Sequence, residues 1–139
     1  MVDAGTVGGD GSPGLTVAMH MSDGLVNAPT AAVFGLVAAI DLAGHGVPVV
    51  LLDDDSTVSV GSRAICYAKR TLEILDRLGC GEGVVQKGVQ WSVGRVFFRD
   101  APAYQFDLLP EAGHHRPAFV NLQQYHLEEC LVDRLAELP

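Results

Sequence analysis

The hydrophobic pattern is clearest from Gly35 onwards, where it predicts a helix followed by a buried strand. Apolar residues recur at helical spacing from Leu36 to Ala43, and two glycines close behind them suit a helix C-terminus. The next apolar run, Val47–Leu52, has the length of a strand and ends in acidic residues. Because a strand that is apolar on both faces is typical of a parallel sheet covered by helices, the pair predicts half of a βαβ unit.

A second helix is predicted over Arg63–Leu78, after a loop at Ser56–Ser62. Its apolar positions form one stripe, its charged positions lie mostly off that stripe, and Gly79 follows as a suitable C-terminal residue. Tyr67 is interpreted as a packing residue of this helix. The stripe consists of Ile65, Leu72, Leu75 and Leu78.

An antiparallel hairpin is predicted next. Val89–Phe98 and Ala103–Leu109 favour strands, and the segment Arg99–Pro102 between them is typical of a hairpin connection. Trp91 and the pair Phe97–Phe98 are expected on the core side of these strands.

The end of the chain predicts a short strand at Ala118–Val120 and a last helix, for which Asn121 is a candidate N-cap. Residues 1–24, by contrast, are rich in Gly and Asp and lack a strong hydrophobic period. We predict an irregular or disordered segment there, with Leu15–Met21 as a candidate for a short ordered piece, and one folded unit over residues 25–139. The last helix has one apolar face, formed by Leu127, Leu131, Leu135 and Leu138.

Composition narrows the classes of function. The 139 residues are 48% hydrophobic and 19% charged, which is typical of a globular domain rather than a disordered chain. Nine Lys and Arg against 17 Asp and Glu give a net charge of −8, which argues against a nucleic-acid-binding protein. All nine cations follow residue 55, so an anionic ligand must find its positive charge in that part of the chain.

The apolar runs predict the cellular compartment, and the spacing of the cysteines and histidines argues against a metal site. The longest apolar run, Ala31–Ile40, is too short to cross a bilayer and no signal peptide is visible, so we expect a cytoplasmic protein without a membrane partner. The three cysteines lack CxxC spacing and predict neither a disulfide framework nor a zinc site. The pair His114–His115 has no Cys/His cluster nearby and is interpreted as part of a polar loop.

Part of a dinucleotide-binding fingerprint is present. The fingerprint needs a strand, a GxGxxG turn that opens a helix, and an acidic residue at the end of the next strand. Gly35 and Asp53 match the third glycine and the acid, but Thr30 and Ala32 occupy the first two glycine positions. A complete GxGxxG occurs at Gly9–Gly14, 44 residues before Asp53, so it is either a chance match or a displaced motif.

Three segments carry a resemblance to a known family. GLVAAIDLAGHGVPVVLLDDD, VGSRAICYAKRTLEILDRLG and RPAFVNLQQYHLEECLVDRL resemble the N-terminal part of the flavoprotein aromatic hydroxylases. These are the para-hydroxybenzoate hydroxylase class of FAD-dependent monooxygenases, and the hydroxyphenylpropionate hydroxylase-like members are the most similar. Gly9–Gly14 with Leu15–Ala18 also resembles the family's glycine turn and helix start.

The resemblance implies an α/β fold, an incomplete Rossmann-like FAD-binding unit with an antiparallel hairpin insertion. Gly35 would be the third glycine of the turn, and Asp53 would bind the adenosine ribose. Arg63 would lie against the phosphate and ribityl side of the flavin. Gln124 would lie near the ribityl chain, with Gln123 as the neighbouring alternative.

The implied activity is hydroxylation of a phenolic or other aromatic substrate with FAD, NAD(P)H and O₂, in which the flavin supplies the oxygen chemistry. Full-length members are several hundred residues long, and their later cofactor-binding and substrate-binding segments have no counterpart here. We therefore expect no hydroxylase activity from this chain alone and assign no catalytic residue. The alternatives are a stand-alone nucleotide-binding module, or a domain without a ligand whose open sheet edge leads to oligomers or aggregation.

Overall fold

The computed structural model describes residues 3–5, 15–18, 28–52 and 65–138. The described part of the chain contains eight strands and four helices. In chain order they are β1 Asp3–Gly5, β2 Leu15–Ala18, α1 Ala28–Gly44, β3 Val49–Leu52, β4 Cys66–Ala68, α2 Lys69–Leu78, α3 Gly81–Lys87, β5 Val89–Trp91, β6 Val93–Phe98, β7 Ala101–Asp107, β8 Phe119–Asn121 and α4 Gln124–Ala136.

The first sheet has the order β1-β2-β3 and contains the expected βαβ unit. β2 and β3 are parallel, with Leu15 opposite Val49 and Ala18 opposite Leu52. A parallel pair requires a long crossover, and α1 provides it. β1 pairs antiparallel with the other edge of β2. The predicted α/β class and the Rossmann-like unit are therefore confirmed.

The amino-terminal part of this unit differs from the sequence reading. β1 and β2 lie within residues 1–24, where an irregular segment is expected, and β2 falls inside the candidate ordered piece. Because Leu15–Ala18 forms a strand, the interpretation of these residues as a helix start is wrong. The Gly9–Gly14 motif itself lies outside the described residues. α1 begins at Ala28, seven residues before Gly35, so Thr30 and Ala32 are helical positions rather than parts of a turn.

The second sheet has the order β4-β8-β5, and both pairings are antiparallel. It corrects the predicted helix over Arg63–Leu78, because residues 66–68 form a strand and the helix begins at Lys69. Residues 66–68 form a strand because they pair with β8, which places Tyr67 opposite Val120 and buries its ring. Ile65, which the predicted helix would have placed on its apolar stripe, is exposed. Strand pairing across the fold outweighs the local helical period.

Gly79 ends α2 as predicted. It has a φ of 85°, in the left-handed region, and its backbone N–H donates to the carbonyl of Asp76. This conformation carries little cost for glycine because it has no Cβ. The short helix α3 follows directly and has no counterpart in the sequence prediction; its Val84 and Val85 are buried.

The hairpin is confirmed as β6–β7, but its bounds and its burial differ from the prediction. Residues 89–91 form β5 of the second sheet, and the turn consists only of residues 99–100, because Ala101 and Pro102 already belong to β7. Phe97 and Phe98 are exposed in the described structure, because the hairpin pairs with no other described strand and both of its strands are exposed along almost their whole length. Trp91, on β5, is half-buried and stacks on Phe119 of β8 with ring centroids 5.0 Å apart.

The expected N-cap of the last helix is wrong. Asn121 is the last residue of β8, where its side-chain oxygen accepts a hydrogen bond from the indole N–H of Trp91 at 2.9 Å. Gln123 occupies the N-cap position without a side-chain capping bond. The four predicted leucines do face the core: Leu127 and Leu131 are buried, and the other two pack against the cluster.

One hydrophobic core joins α1, α2, α3 and α4 to β4 and β8. Its buried members are Leu36, Ile40, Tyr67, Leu72, Leu75, Leu78, Cys80, Val84, Val85, Val120, Leu122, Leu127 and Leu131. None of the helices in the described part of the chain combines the length and the apolarity that a bilayer crossing requires.

Candidate functional site

The topology defines the end of the molecule at which a ligand is expected. In open α/β sheets, ligands bind beyond the carboxyl ends of the parallel strands. Here those ends are Ala18 and Leu52, and α1 begins at the same end because it connects the two strands. We call this region the strand-end site.

Helix α4 packs against α1. The last turns of α1 and the start of β3 line a cleft of about 490 Å³ together with Leu135 and Leu138, at the opposite end of the molecule. The carboxyl-terminal parts of α1 and α4 therefore lie together there. Gln124 is the first residue of α4, and its position on the side at which α1 begins stays a prediction of the family resemblance.

The predicted cofactor residues fall into two groups. Gly35 is buried in α1 and Gln124 is buried at the start of α4. Asp53, which directly follows β3, and Arg63 lie outside the described residues, so their predicted contacts stay predictions.

Gln124 belongs to a buried polar pair. Its side chain is 3% exposed, and its Nε2 donates to Oε1 of Glu128, one turn further along α4, at 2.9 Å. Glu128 is also buried. The first two turns of α4 thus bury an amide and a carboxylate, although apolar side chains would be buried there at a lower free-energy cost.

Tyr67 adds a third polar group to this region. Its ring is part of the core, and its hydroxyl is buried with no hydrogen-bond partner among the described residues. Burial, together with the smaller effect of the negative charge of Glu128, raises the pKa of Tyr67 to about 12. The phenol therefore stays protonated and is a hydrogen-bond donor at neutral pH. The sequence reading treated Tyr67 as packing alone, because nothing in its neighbours indicates an unpaired hydroxyl.

Arg116 is the one buried cation of the described residues, and sequence reasoning missed it. Its Nε donates to Oδ2 of Asp76 at 2.7 Å, and a second nitrogen donates to the other oxygen of the same carboxylate. The third nitrogen donates to Oε2 of Glu82 at 2.9 Å. The guanidinium holds the pKa of both carboxyl groups below the ordinary range. Because two carboxylates already neutralise it, Arg116 connects α2 to α3 rather than offering a free charge to an anion.

The two adjacent histidines lie near acids but form no metal site. Nε2 of His114 is 3.9 Å from a carboxylate oxygen of Glu111, and Nε2 of His115 is 3.7 Å from one of Asp76. Across the residues that the structure describes, no three His, Cys, Asp or Glu side chains are grouped so that they could hold a metal ion.

Comparison with known proteins identifies the class. The profile of the FAD-binding domain family matches residues 31–139, and the chain therefore belongs to that family of FAD-binding domains. FAD is the cofactor that this family binds. The predicted resemblance to flavin-dependent aromatic hydroxylases is confirmed. No curated protein matches the chain.

Solved structures of flavin-dependent oxygenases share the fold. The chain is 28% identical to p-nitrophenol 4-monooxygenase from Pseudomonas putida DLL-E4, over 75% of this chain and 27% of that one, with a TM-score of 0.65. It is 24% identical to the flavin-dependent monooxygenase PieE, solved with FAD and substrate, over 76% of this chain and 20% of that one, with a TM-score of 0.61. For 2-methyl-3-hydroxypyridine-5-carboxylic acid oxygenase the identity is 21%, the coverage 77% and 27%, and the TM-score 0.62. The chain thus spans about a quarter of the length of these proteins.

The amide of Gln124 fits part of FAD. It is buried, and an amide suits the hydroxyl and carbonyl oxygens of a ribityl chain or a flavin ring. It does not suit a pyrophosphate, which needs a cation or several backbone N–H groups. Because Arg116 is already neutralised, it does not provide that cation, and the predicted one, Arg63, remains the candidate.

Proposed function

We propose that this chain forms the FAD-binding part of a flavin-dependent monooxygenase that hydroxylates a small phenolic substrate with NAD(P)H and O₂. The observation that carries the proposal is the match of residues 31–139 to the FAD-binding domain family. The 28% identity to a p-nitrophenol monooxygenase supports the phenolic class of substrate. We further propose that residues 1–139 are inactive as a hydroxylase by themselves, because they span only about a quarter of such an enzyme.

In this proposal three residues contact the cofactor, and Gly35 positions the helix α1. Gly35 allows α1 to pack closely on the sheet, Asp53 accepts hydrogen bonds from the adenosine ribose, and Arg63 neutralises the pyrophosphate. Gln124 lies along the ribityl chain from its buried position at the start of α4. When bound, the flavin supplies electron transfer and oxygen chemistry, while these residues bind it and orient it.

Titration of the purified chain with FAD tests the proposal. We expect saturable quenching of flavin fluorescence with a dissociation constant in the micromolar range, and about tenfold weaker binding for Arg63→Ala, since a charge-assisted hydrogen bond contributes about 1.5–3 kcal/mol. Arg70→Ala is the matched control, because Arg70 is an exposed arginine near the start of α2 that contacts Glu73. Absence of FAD binding by the unmodified chain would contradict the proposal. Binding of AMP or NAD in preference to FAD would favour a general nucleotide-binding module.

A second assay tests activity. The FAD-loaded chain is mixed with NADH or NADPH and a set of phenols, and oxidation of the nicotinamide is followed by absorbance. We expect no substrate-dependent oxidation. A hydroxylated product formed by the chain alone would contradict the proposed inactivity while leaving FAD binding intact.

A further inference from the structure

One side of the hairpin β6–β7 is apolar along its whole length. The register places Val96 opposite Tyr104 and Gly94 opposite Phe106, and alternation along a strand puts these residues, together with Phe98, on the same side. Side-chain contacts agree with this, since the rings of Tyr104 and Phe106 lie 6.0 Å apart and the ring of Phe106 covers Gly94. We call this side the apolar hairpin face. It is formed by Gly94, Val96, Phe98, Ala101, Tyr104 and Phe106.

The other side of the hairpin is mixed and includes the polar residues of both strands. There Nε of Arg95 donates a hydrogen bond to Oε1 of Gln105 at 2.9 Å, and Phe97 lies opposite Pro102. Ala103 has no partner in the register, so the irregularity of the ribbon lies on β7 and β6 alternates without interruption. An antiparallel ribbon with one apolar and one polar side is typical of strands whose apolar side packs against another layer of protein.

The apolar hairpin face nevertheless lies open. Phe98 is 70% exposed and Tyr104 is 60% exposed. Of the eleven large hydrophobic side chains that are exposed in the described part of the chain, six lie between Val93 and Leu108. A two-stranded hairpin is at best marginally stable by itself in water, and a contiguous exposed apolar patch is typical of an interaction site. The face therefore indicates a partner that covers it.

The distribution of charge indicates which partner fits. Between Val93 and Asp107 the chain has two arginines and two aspartates, which cancel, and none of these four belongs to the apolar hairpin face. The whole net charge of −8 therefore resides outside the hairpin. Two copies that meet through this face join neutral surfaces, whereas contact through the rest of the chain joins surfaces that share an excess of negative charge.

We propose that the apolar hairpin face is the interface of a homodimer, in which it packs against the same face of a second copy about a two-fold axis. A two-fold axis brings identical patches together, and two ribbons packed in this way form a small sandwich with the layers about 10 Å apart. The inference is independent of flavin binding and goes beyond the proposed function.

The size of the face sets the strength of the dimer. At about 200 Å² for each aromatic side chain, the exposed parts of Phe98, Tyr104 and Val96 amount to about 300 Å² per copy. A standard protein interface buries about 800 Å² per partner, so we expect a weak dimer with a dissociation constant of about 10–100 μM.

Sedimentation equilibrium of the full chain, from about 1 μM to about 200 μM, tests the proposal, and we expect a reversible shift from monomer to dimer. Phe98→Asp places a carboxylate in the interface and should raise the dissociation constant at least about tenfold. Phe97→Asp is the matched control, because Phe97 is 57% exposed and lies on the other side of the same strand, and its dissociation constant should stay unchanged. Tyr104→Asp makes the change on β7 and should weaken the dimer as Phe98→Asp does.

Two further measurements separate the proposed dimer from other outcomes. Because Phe98 is exposed in the monomer, Phe98→Asp should keep the far-UV circular dichroism of the unmodified chain. Added salt should strengthen the dimer, since it screens the repulsion between two copies of charge −8. A chain that stays monomeric up to about 200 μM would overturn the inference, whatever else covers the face. Equal weakening by Phe97→Asp and Phe98→Asp, or larger oligomers that Phe98→Asp leaves intact, would do the same. Since no flavin is present, failure of this inference and failure of FAD binding are separate results.

Discussion

Replacement of Arg116 by methionine is expected to lower the free energy of unfolding by about 2–4 kcal/mol. Arg116 is 6% exposed and lies just before β8, from where it contacts the carboxylate at the end of α2 and the one at the start of α3. Methionine keeps an unbranched apolar side chain, so the main effect of Arg116→Met is the loss of the charge and its hydrogen bonds.

The magnitude follows from the burial of the two carboxylates. Removing one partner of a fully buried ion pair costs about 3–5 kcal/mol, because the other charge is left without compensation. The side chain of Asp76 is 25% exposed, so water offsets part of that cost. Glu82 is 64% exposed, and an exposed ion pair of this kind contributes less than about 1 kcal/mol. The expected total is therefore below the fully buried value.

Urea unfolding followed by far-UV circular dichroism measures the effect. Arg70→Met is the matched control, because Arg70 is 78% exposed and its loss should cost less than about 1 kcal/mol. The double variant with Asp76→Asn completes a mutant cycle, and we expect a coupling energy of at least about 1 kcal/mol between residues 76 and 116. A loss below 1 kcal/mol for Arg116→Met, or one equal to that of the control, would refute the electrostatic reasoning.

Two further predictions concern pH and backbone conformation. Arg116 lowers the pKa of Asp76 from its ordinary value of 3.8, so the ionised carboxylate stabilises the fold above that pH. This contribution is lost as the pH falls through the lowered pKa, so the free energy of unfolding should decrease below about pH 4, and less steeply in Arg116→Met. Equal pH dependence of the two proteins, measured by urea unfolding at each pH, would contradict this prediction. Gly79→Ala should cost about 1–2 kcal/mol, because φ is 85° and the new Cβ would lie 2.9 Å from Nε of Arg134. The comparison is Gly44→Ala, since Gly44 has no positive φ and the new Cβ would meet no atom within 4 Å. A Tm for Gly79→Ala equal to that of the unmodified chain would show that the backbone relaxes there.

The sequence correctly predicts those elements in which the hydrophobic period and the residues that end a helix or a strand indicate the same structure. The leucines of α2 and the glycine that ends it are an example, and so is the hairpin turn at Arg99. The strand β4 was read as helix because three residues carry too little period to distinguish the two structures. Its conformation depends on pairing with β8, which no local signal at Cys66–Ala68 indicates.

In the candidate site, too, some features have a local sequence signal and others depend on contacts between distant parts of the chain. Gln124 is predicted from the family resemblance, and the structure shows that it is buried at the start of α4, while its contact with a cofactor stays a prediction. The hydroxyl of Tyr67 becomes buried only when β4 pairs with β8 and the ring joins the core, so the sequence gives no direct sign of it. Arg116 was missed for a similar reason, because its carboxylate partners lie 40 and 34 residues away along the chain.

The strand order β4-β8-β5 has a consequence for synthesis on the ribosome. The central strand is the last of the three to be made, so β4 and β5 have no partner in their sheet until Phe119–Asn121 emerges. At about 5–20 residues per second, the stretch from Trp91 to Phe119 takes roughly 1–6 s to translate, whereas a hairpin such as β6–β7 closes in about 1–10 μs. The nascent chain therefore presents β4 and β5 without their partner strand for roughly 1–6 s, and for the last roughly 0.6–2.4 s of that time the hairpin is already complete. In this interval unpaired strand edges are open to aggregation and to capture by chaperones.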